Sequence, residues 1–290
     1  MQKWKDSKVA LLFLAPSLLV FSIFVFFPLL FSFFLSLTEW NLVSSEKPFV
    51  GFQNFLRLFK DPLFWKVVSN TAVFSIAVVA GSMGFGLVLA VLLNLKIQYR
   101  TVYRTGMFLP YVTTPAAMAL VWLWIFDTKY GLINFFLSFL GVSGPEWIGS
   151  VHWAMPALII MTIWRFTGYD MLIFIGGLQR IEHELLEAAE MEGAGRLTIF
   201  FKIILPLLSP TTLFIAVTSL ITMLQNFETV YIMTQGGPVN STNMLVLYLY
   251  QNAFQFFEAG YASAIAVVLF ILMLALTSGQ MELSKKWVHY

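Results

Sequence analysis

The stretch at residues 187–210, EAAEMEGAGRLTIFFKIILPLLSP, interrupts a very apolar chain with acids, small residues and a Leu-Pro step. Strong helix formers fill its first part, and Gly193 suits a helix C-cap or a turn. The sequence therefore predicts two short helices at an angle within 180–204, followed by a membrane span that begins near the proline. Glu192 and Arg196 have the i,i+4 spacing at which opposite charges pair on a helix.

The composition is typical of a membrane protein. Of the 290 residues, 59% are hydrophobic and 11% are charged, whereas soluble domains carry about 25% charged residues. We therefore expect a polytopic protein in a lipid bilayer. A net charge of +2 without a basic, aromatic-rich stripe argues against nucleic acid as a partner. Because there are no cysteines and the three histidines lie far apart, we expect neither thiolate catalysis nor a metal site.

Charge-poor windows predict six transmembrane helices in one all-α domain over 1–290. A helix that crosses the roughly 30 Å hydrocarbon core needs about 20 apolar residues. The windows span about 9–38, 67–95, 105–126, 153–178, 203–230 and 259–281. The first is too long for the apolar core of a signal peptide, so we expect a retained span. Pro110 and Pro115 should kink the third, and the segments 130–145 and 229–257 should lie outside the membrane.

Positive charges orient this topology. The segments on the predicted inner side hold 11 Lys and Arg, whereas the outer segments hold five. Because an excess of Lys and Arg marks the cytoplasmic side, we expect both termini and the 180–204 loop in the cytoplasm. The small residues of GSMGFG at 81–86 should allow close helix packing.

The spacing EAA-x3-GA-x5-F-x2-I-x-LP-x3-P closely resembles the cytoplasmic signature of the membrane subunits of binding-protein-dependent ABC importers. The family usually has Asp where this chain has Glu192. The stretches at 50–65 (VGFQNFLRLFKDPLFW) and 227–254 (FETVYIMTQGGPVNSTNMLVLYLYQNAF) resemble the carbohydrate-uptake group, in particular the first permease of maltose-type and glycerol-3-phosphate-type importers. The resemblance implies the type I importer (MetI-like) permease fold.

The resemblance also implies partners. In this family the 180–204 loop forms coupling helices that dock on a cytoplasmic ATPase. The residues that this assigns to the contact are Glu187, Ala188, Ala189, Gly193, Ala194 and Arg196. The chain lacks a G-x-x-x-x-G-K-[ST] phosphate loop, so we expect no cofactor here and ATP with Mg²⁺ on the partner. A second homologous permease, two ATPase subunits and an extracellular solute-binding protein should complete an importer of the bacterial inner membrane.

Polar residues in the fourth and fifth predicted spans indicate a solute pathway. Arg165 and Asp170 should face a bundle interior or a wet cavity because charges are costly in lipid, although each could instead pair with another helix. They lie about 140° apart around a helix and should not pair with each other. By resemblance to maltose-type importers, the pathway residues are Thr162, Arg165, Phe166, Tyr169, Ser219, Thr222, Met223 and Asn226. Arg165 would suit an anionic sugar.

These patterns predict a non-catalytic permease subunit, which moves a sugar or a sugar derivative (an oligosaccharide, a sugar phosphate or an acidic sugar) by alternating access. One alternative is a polytopic membrane enzyme that acts on lipid-linked sugars and uses the acids of the loop, although the sequence has no D-x-D pair. Another is an autonomous secondary carrier, which would need internal repeats that we do not find in the sequence.

Overall fold

The computed structural model describes residues 13–95 and 98–288. These residues form helices and turns without a β-strand, and an isolated antiparallel bridge joins Thr38 to Phe49. The predicted all-α class is confirmed. The predicted start of the first span and the basic segment before it lie outside the described residues.

The helices of the described part follow one another closely. In chain order they are α1 (Phe13–Ser36), α2 (Gln53–Lys60), α3 (Pro62–Asn94), α4 (Arg100–Val112), α5 (Pro115–Ile125), α6 (Leu132–Phe139), α7 (Ala154–Leu178), α8 (His183–Met191), α9 (Arg196–Leu207), α10 (Ser209–Leu224), α11 (Glu228–Met233), α12 (Leu245–Tyr250) and α13 (Ala259–Ser284). Single π-helical turns lie within α1 at Ser22–Phe26, within α9 at Phe200–Ile204, and after α12 at Gln251–Gln255.

Four of these helices, α1, α3, α7 and α13, are long and apolar enough to cross a bilayer. Two bent pairs pass the same test when each is taken together: α4 with α5, bent by 99°, and α9 with α10, bent by 60°. The described chain thus has four candidate spans, or six if each bent pair crosses as one. The short helices α6 and α12 fall in the segments predicted to lie outside the membrane, whereas α11 begins at Glu228, near the end of the fifth predicted span.

The bend between α4 and α5 explains which proline breaks the third predicted span. Pro115 begins α5, and Thr114 before it is extended, with φ −57° and ψ 138°, as expected for a residue that precedes proline. The kink expected at Pro110 stays a prediction, since this proline lies inside α4. It sits in the last turn of that helix, where little helix remains to be disrupted.

The bend between α9 and α10 has a similar cause. Pro210 has no N–H, so it cannot bond to the carbonyl oxygen of Pro206 one turn earlier. The hydroxyl of Ser209 donates to that oxygen instead, at 2.5 Å. The helix therefore changes direction at Leu208, and α10 ends at Leu224 rather than continuing to the predicted boundary at 230.

The described residues form two compact units. The first comprises 13–64 and 249–271, and therefore α1, α2 and the first part of α13. Here the side-chain amide of Asn54 donates to the carbonyl oxygens of Ser36 and Thr38, both at 2.9 Å. These bonds fix α2 to the turn that follows α1.

The second unit comprises 65–248 and 272–288. Its central helix is α7, which packs against α3, α4 and α10 where small residues permit close approach. Gly168 lies against the backbone of Met107 on α4, and Gly86 on α3 lies against Asp170, as the 81–86 pattern predicted. The apolar core of this unit is formed by Ala90, Leu93, Met171, Phe174, Ile175, Leu178, Leu208 and Ile215.

Candidate functional site

The segment that precedes α10 contains the predicted pair of short helices. α8 ends at Met191 and α9 begins at Arg196. Gly193 between them has a φ of +82°. Its N–H donates to the carbonyl of Glu190, and the N–H of Ala194 donates to that of Ala189, both at 3.0 Å. This is a Schellman C-cap, which favours glycine because of its left-handed backbone. The predicted turn at Gly193 is confirmed.

The same turn removes a predicted contact. Glu192 and Arg196 were expected to pair at i,i+4, but the ion pairs of the described residues do not include them. The reason is geometric: Glu192 caps α8 whereas Arg196 begins α9, so the two residues are not successive turns of one helix.

The residues predicted to contact an ATPase form an accessible surface on this segment. Glu187, Ala188, Gly193 and Arg196 are exposed, and Ala189 and Ala194 are half-buried. A methyl group at Gly193 would meet nothing within 4 Å among the described residues. The surface therefore combines small residues with an acid, and the described part of the chain leaves Gly193 uncovered.

A second feature is a cavity of about 330 Å³ in the second unit. It lies where α7, the start of α5, and the end of α10 with α11 converge. The lining residues are Pro115, Arg165, Phe166, Thr222, Gln225, Asn226, Phe227, Glu228 and Thr229. Hydroxyl, amide and charged groups thus share this cavity with two aromatic rings.

Four of the eight predicted pathway residues line this cavity: Arg165, Phe166, Thr222 and Asn226. The others do not. Thr162, Ser219 and Met223 are buried beside it, and the Thr162 hydroxyl donates to Leu158 within α7. Tyr169 stacks on Tyr111, with ring centroids 4.5 Å apart.

Sequence reasoning did not assign the remaining lining residues to the pathway. Pro115 comes from the bend between α4 and α5, which sequence spacing did not place beside α7. Gln225, Phe227, Glu228 and Thr229 belong to the end of α10 and the start of α11. Because a continuous span to 230 was expected, these residues were predicted to form further helix rather than a turn. The polar run QNFET was the available signal.

Arg165 is the central charge of the cavity wall. Its Nη2 donates to the carbonyl oxygens of Tyr111 at 3.4 Å and Thr113 at 3.5 Å. These carbonyls lie at the bend where α4 ends, and cations are favoured at helix C-termini. The guanidinium also lies 5.3 Å from the ring centroid of Phe166, and Glu228 interacts with it electrostatically. Its Nε is buried and has no hydrogen-bond partner within the described ranges 13–95 and 98–288.

Asp170 faces away from this cavity. It is fully buried, and Gly86 on α3 lies directly against it. Among the described residues, neither carboxyl oxygen has a hydrogen-bond partner, and the Ser82 hydroxyl donates to the carbonyl oxygen of Val79 at 3.5 Å. Asp170 therefore belongs to the contact between α3 and α7, and Arg165 and Asp170 do not pair.

Comparison with protein families identifies the chain. Residues 82–289 match the model of the binding-protein-dependent transport system inner membrane component. The chain belongs to this family. The permease is 36% identical over 276 residues to the sulfoquinovosyl glycerol transport system permease protein SmoG of Agrobacterium fabrum, covering 94% of this chain and 89% of the relative. It is also 36% identical to the lactose transport system permease protein LacF of Rhizobium radiobacter, covering 92% and 90%.

A solved structure shares the fold of this permease. A chain of the bacterial alginate ABC transporter, in complex with an alginate pentasaccharide-bound periplasmic protein, superposes with a TM-score of 0.85. The identity is 22%, and the alignment covers 99% of this chain and 98% of the other. The MetI-like permease fold and the ABC importer function predicted from the sequence are confirmed, and the alternative of a membrane enzyme finds no support.

Proposed function

We propose that this permease is one of two membrane subunits of an importer that carries a sugar or a sugar derivative across the bacterial inner membrane. The two relatives described above are named for lactose and for sulfoquinovosyl glycerol. The observation that carries the proposal is the cavity beside Arg165, because its chemistry suits a polyhydroxylated solute.

The cavity wall offers two kinds of contact to such a solute. Thr222, Gln225 and Asn226 supply hydroxyl and amide groups, while Phe166 and Phe227 supply rings on which a sugar face can stack. Placed polar groups fix the orientation of a ligand in a small-molecule site, and the polar residues of this wall can do so for the hydroxyl groups of a sugar.

Arg165 extends this site to anionic derivatives. A guanidinium can bind a carboxylate, sulfonate or phosphate through two parallel hydrogen bonds. Glu228 lines the same cavity as Arg165, so we expect the cavity to accept neutral sugars and to gain affinity for an acidic group that reaches Arg165.

The loop between α7 and α10 provides the coupling to energy in this proposal. Its exposed acid at Glu187 and its small residues at Ala188 and Gly193 form a surface for an ATPase subunit, which would hold ATP and Mg²⁺. A second permease and an external solute-binding protein would complete the importer, with the loop and both termini in the cytoplasm. The permease itself would be non-catalytic.

The cargo is tested by uptake through the reconstituted importer. We expect ATP-dependent accumulation of a neutral or acidic sugar, and Arg165→Gln should lower uptake of an acidic sugar by at least about tenfold, the factor for one lost charge-assisted hydrogen bond. Arg100→Gln, which removes an exposed arginine outside the cavity, is the matched control. Equal uptake by Arg165→Gln and Arg100→Gln would contradict the role of the cavity.

The coupling loop is tested by binding of the ATPase subunit to the permease in nanodiscs. Glu187→Gln should weaken binding by about tenfold to a hundredfold, because hydrogen bonds to charged groups contribute about 1.5–3 kcal/mol. Glu46→Gln removes another exposed acid, outside the loop, and should leave the affinity unchanged. Equal affinity of the wild type and Glu187→Gln would remove this residue from the interface.

A further inference from the structure

An apolar groove of about 620 Å³ lies in the first unit, between the end of α1, the helix α2 and the first part of α13. Its lining residues are Phe33, Phe34, Ser36, Leu37, Phe52, Phe55, Phe59, Val267, Val268 and Ile271. Phenylalanine rings from α1 and α2 form one side and branched aliphatic residues of α13 form the other. The groove is distinct from the Arg165 cavity, which lies in the second unit.

The polar side of α2 fixes the position of this helix. Asn54 bonds to the turn after α1, as described above. Arg57 forms an ion pair with Glu258 at 2.9 Å, and its guanidinium lies 4.4 Å from the ring centroid of Tyr261. The opposite side of α2 is left apolar and open: Phe52 is 72% exposed and Phe59 is 49% exposed. An amphipathic helix of this kind is typical of a membrane interface.

The last residue of α2 carries a positive charge. Lys60 is exposed, directly follows the lining residue Phe59 in the sequence, and forms no ion pair among the described residues. The neighbouring acids are engaged elsewhere. Glu258 pairs with Arg57, and Asp61 accepts hydrogen bonds from the N–H of Leu63 at 2.8 Å and the hydroxyl of Tyr261 at 3.3 Å.

We propose that this groove binds one anionic phospholipid, with an acyl chain between α2 and α13 and the phosphate near Lys60. The apolar wall matches a hydrocarbon chain, and the charge at one end matches the head group. A lipid is favoured over a soluble ligand because α1 and α13 are both long and apolar enough to cross the bilayer. The site goes beyond the importer function and does not depend on which solute is carried.

Native mass spectrometry of the purified, delipidated permease tests the site. The protein is titrated with phosphatidylglycerol and with phosphatidylethanolamine of the same acyl chains. We expect one tightly held phosphatidylglycerol and a preference over phosphatidylethanolamine of about fivefold, which corresponds to about 1 kcal/mol for a basic residue near an anionic lipid surface. Lys60→Gln should abolish the preference, whereas Lys129→Gln, at an exposed lysine of the second unit, should preserve it.

A second pair of variants tests the acyl-chain pocket. Val268→Trp fills the groove from α13 and should remove the retained lipid of either kind. Leu274→Trp adds the same bulk at an exposed position of the same helix, outside the groove, and should keep it. Equal lipid retention in Val268→Trp and Leu274→Trp would overturn the proposal. Cross-linking of the variant Phe55→Cys to the second permease in the intact importer would also overturn the proposal, because the groove would then hold protein.

Discussion

Replacing Gly168 with alanine should destabilise the permease through the contact between α4 and α7. A methyl group there would overlap the carbonyl oxygen of Met107, and it would lie 2.5 Å from the carbonyl carbon of that residue and 3.0 Å from Cα of Phe108. Ordinary contacts begin at 3.4 Å. Since these atoms are backbone, α4 must move away, and overpacking of this kind costs about 1–3 kcal/mol.

Two other glycines provide a graded comparison. Gly176 lies on the same helix, and a methyl group there would meet no atom of the described part of the chain within 4 Å. Gly176→Ala should therefore gain about 0.5–1 kcal/mol from helix propensity. At Gly81 the methyl group would meet the Cδ1 atom of Ile163, which is the flexible end of a side chain, so Gly81→Ala should fall between the two.

The assay is unfolding by sodium dodecyl sulfate in mixed micelles, followed by tryptophan fluorescence. The free energy of unfolding should be highest for Gly176→Ala, intermediate for Gly81→Ala and lowest for Gly168→Ala. If Gly168→Ala were as stable as Gly176→Ala, the close approach of α4 to α7 would be refuted. The Arg165 bonds to the end of α4 should weaken in the same variant, because α4 carries both acceptor carbonyls close to its end.

Three further predictions concern loops. The backbone N–H groups of Tyr130 and Lys129 hold the pKa of Asp127 below its usual value, so their contribution is complete above the unfolded pKa of about 3.9 and is lost as the pH falls through the folded pKa. The protection of the Tyr130 amide against exchange, relative to its intrinsic rate at the same pH, should fall in that pH range. Asp127→Asn should remove this pH dependence. Gly193→Val places a branched side chain at φ +82°, and a non-glycine residue in this left-handed conformation costs about 1–2 kcal/mol. The variant should therefore raise the rate of amide exchange at the end of α8 about tenfold. The control Gly195→Val, at a position with an extended backbone, should leave that rate unchanged. Asn70→Leu removes the hydrogen bonds from the Asn70 amide to the carbonyl oxygens of Asn240 and Asn243, both at 3.0 Å. The loop that contains Asn240 and Asn243 should then be cleaved faster by a protease. An unchanged amount of cleaved product would contradict this prediction.

The parts of the fold that could be predicted from sequence are those with strong local signals. Long charge-poor runs identify α3, α7 and α13 because lipid tolerates few charges, and α7 remains recognisable although it carries Arg165 and Asp170. The turn at Gly193 was predictable because a left-handed cap needs glycine. The spacing of the acidic loop identified the family, whose model matches residues 82–289.

The exact positions of the bends and half of the site could not be predicted. Prolines indicate that a helix is disturbed, but which turn breaks depends on whether another group donates a hydrogen bond to the carbonyl oxygen left without its helical partner. The Ser209 hydroxyl donates to the carbonyl oxygen of Pro206, and the Arg165 guanidinium donates to those of Tyr111 and Thr113. Such partners come from tertiary packing. A helical-face pattern for the fifth span likewise could not show that the chain turns after Leu224 and brings Glu228 to Arg165.

The N–H donors of Arg165 can serve two kinds of acceptor, the carbonyl oxygens at the bend between α4 and α5 and the oxygen atoms of a solute. The guanidinium has five N–H groups in a fixed fork, and some of them close the interruption between Val112 and Pro115. Any oxyanion that arrived in the adjoining chamber would compete with main-chain oxygens for the same protons. We therefore expect solute binding in the cavity and the angle between α4 and α5 to be thermodynamically linked. A solute that binds Arg165 should weaken the bonds that hold the bend, and straightening the bend should free N–H groups of Arg165 for the solute.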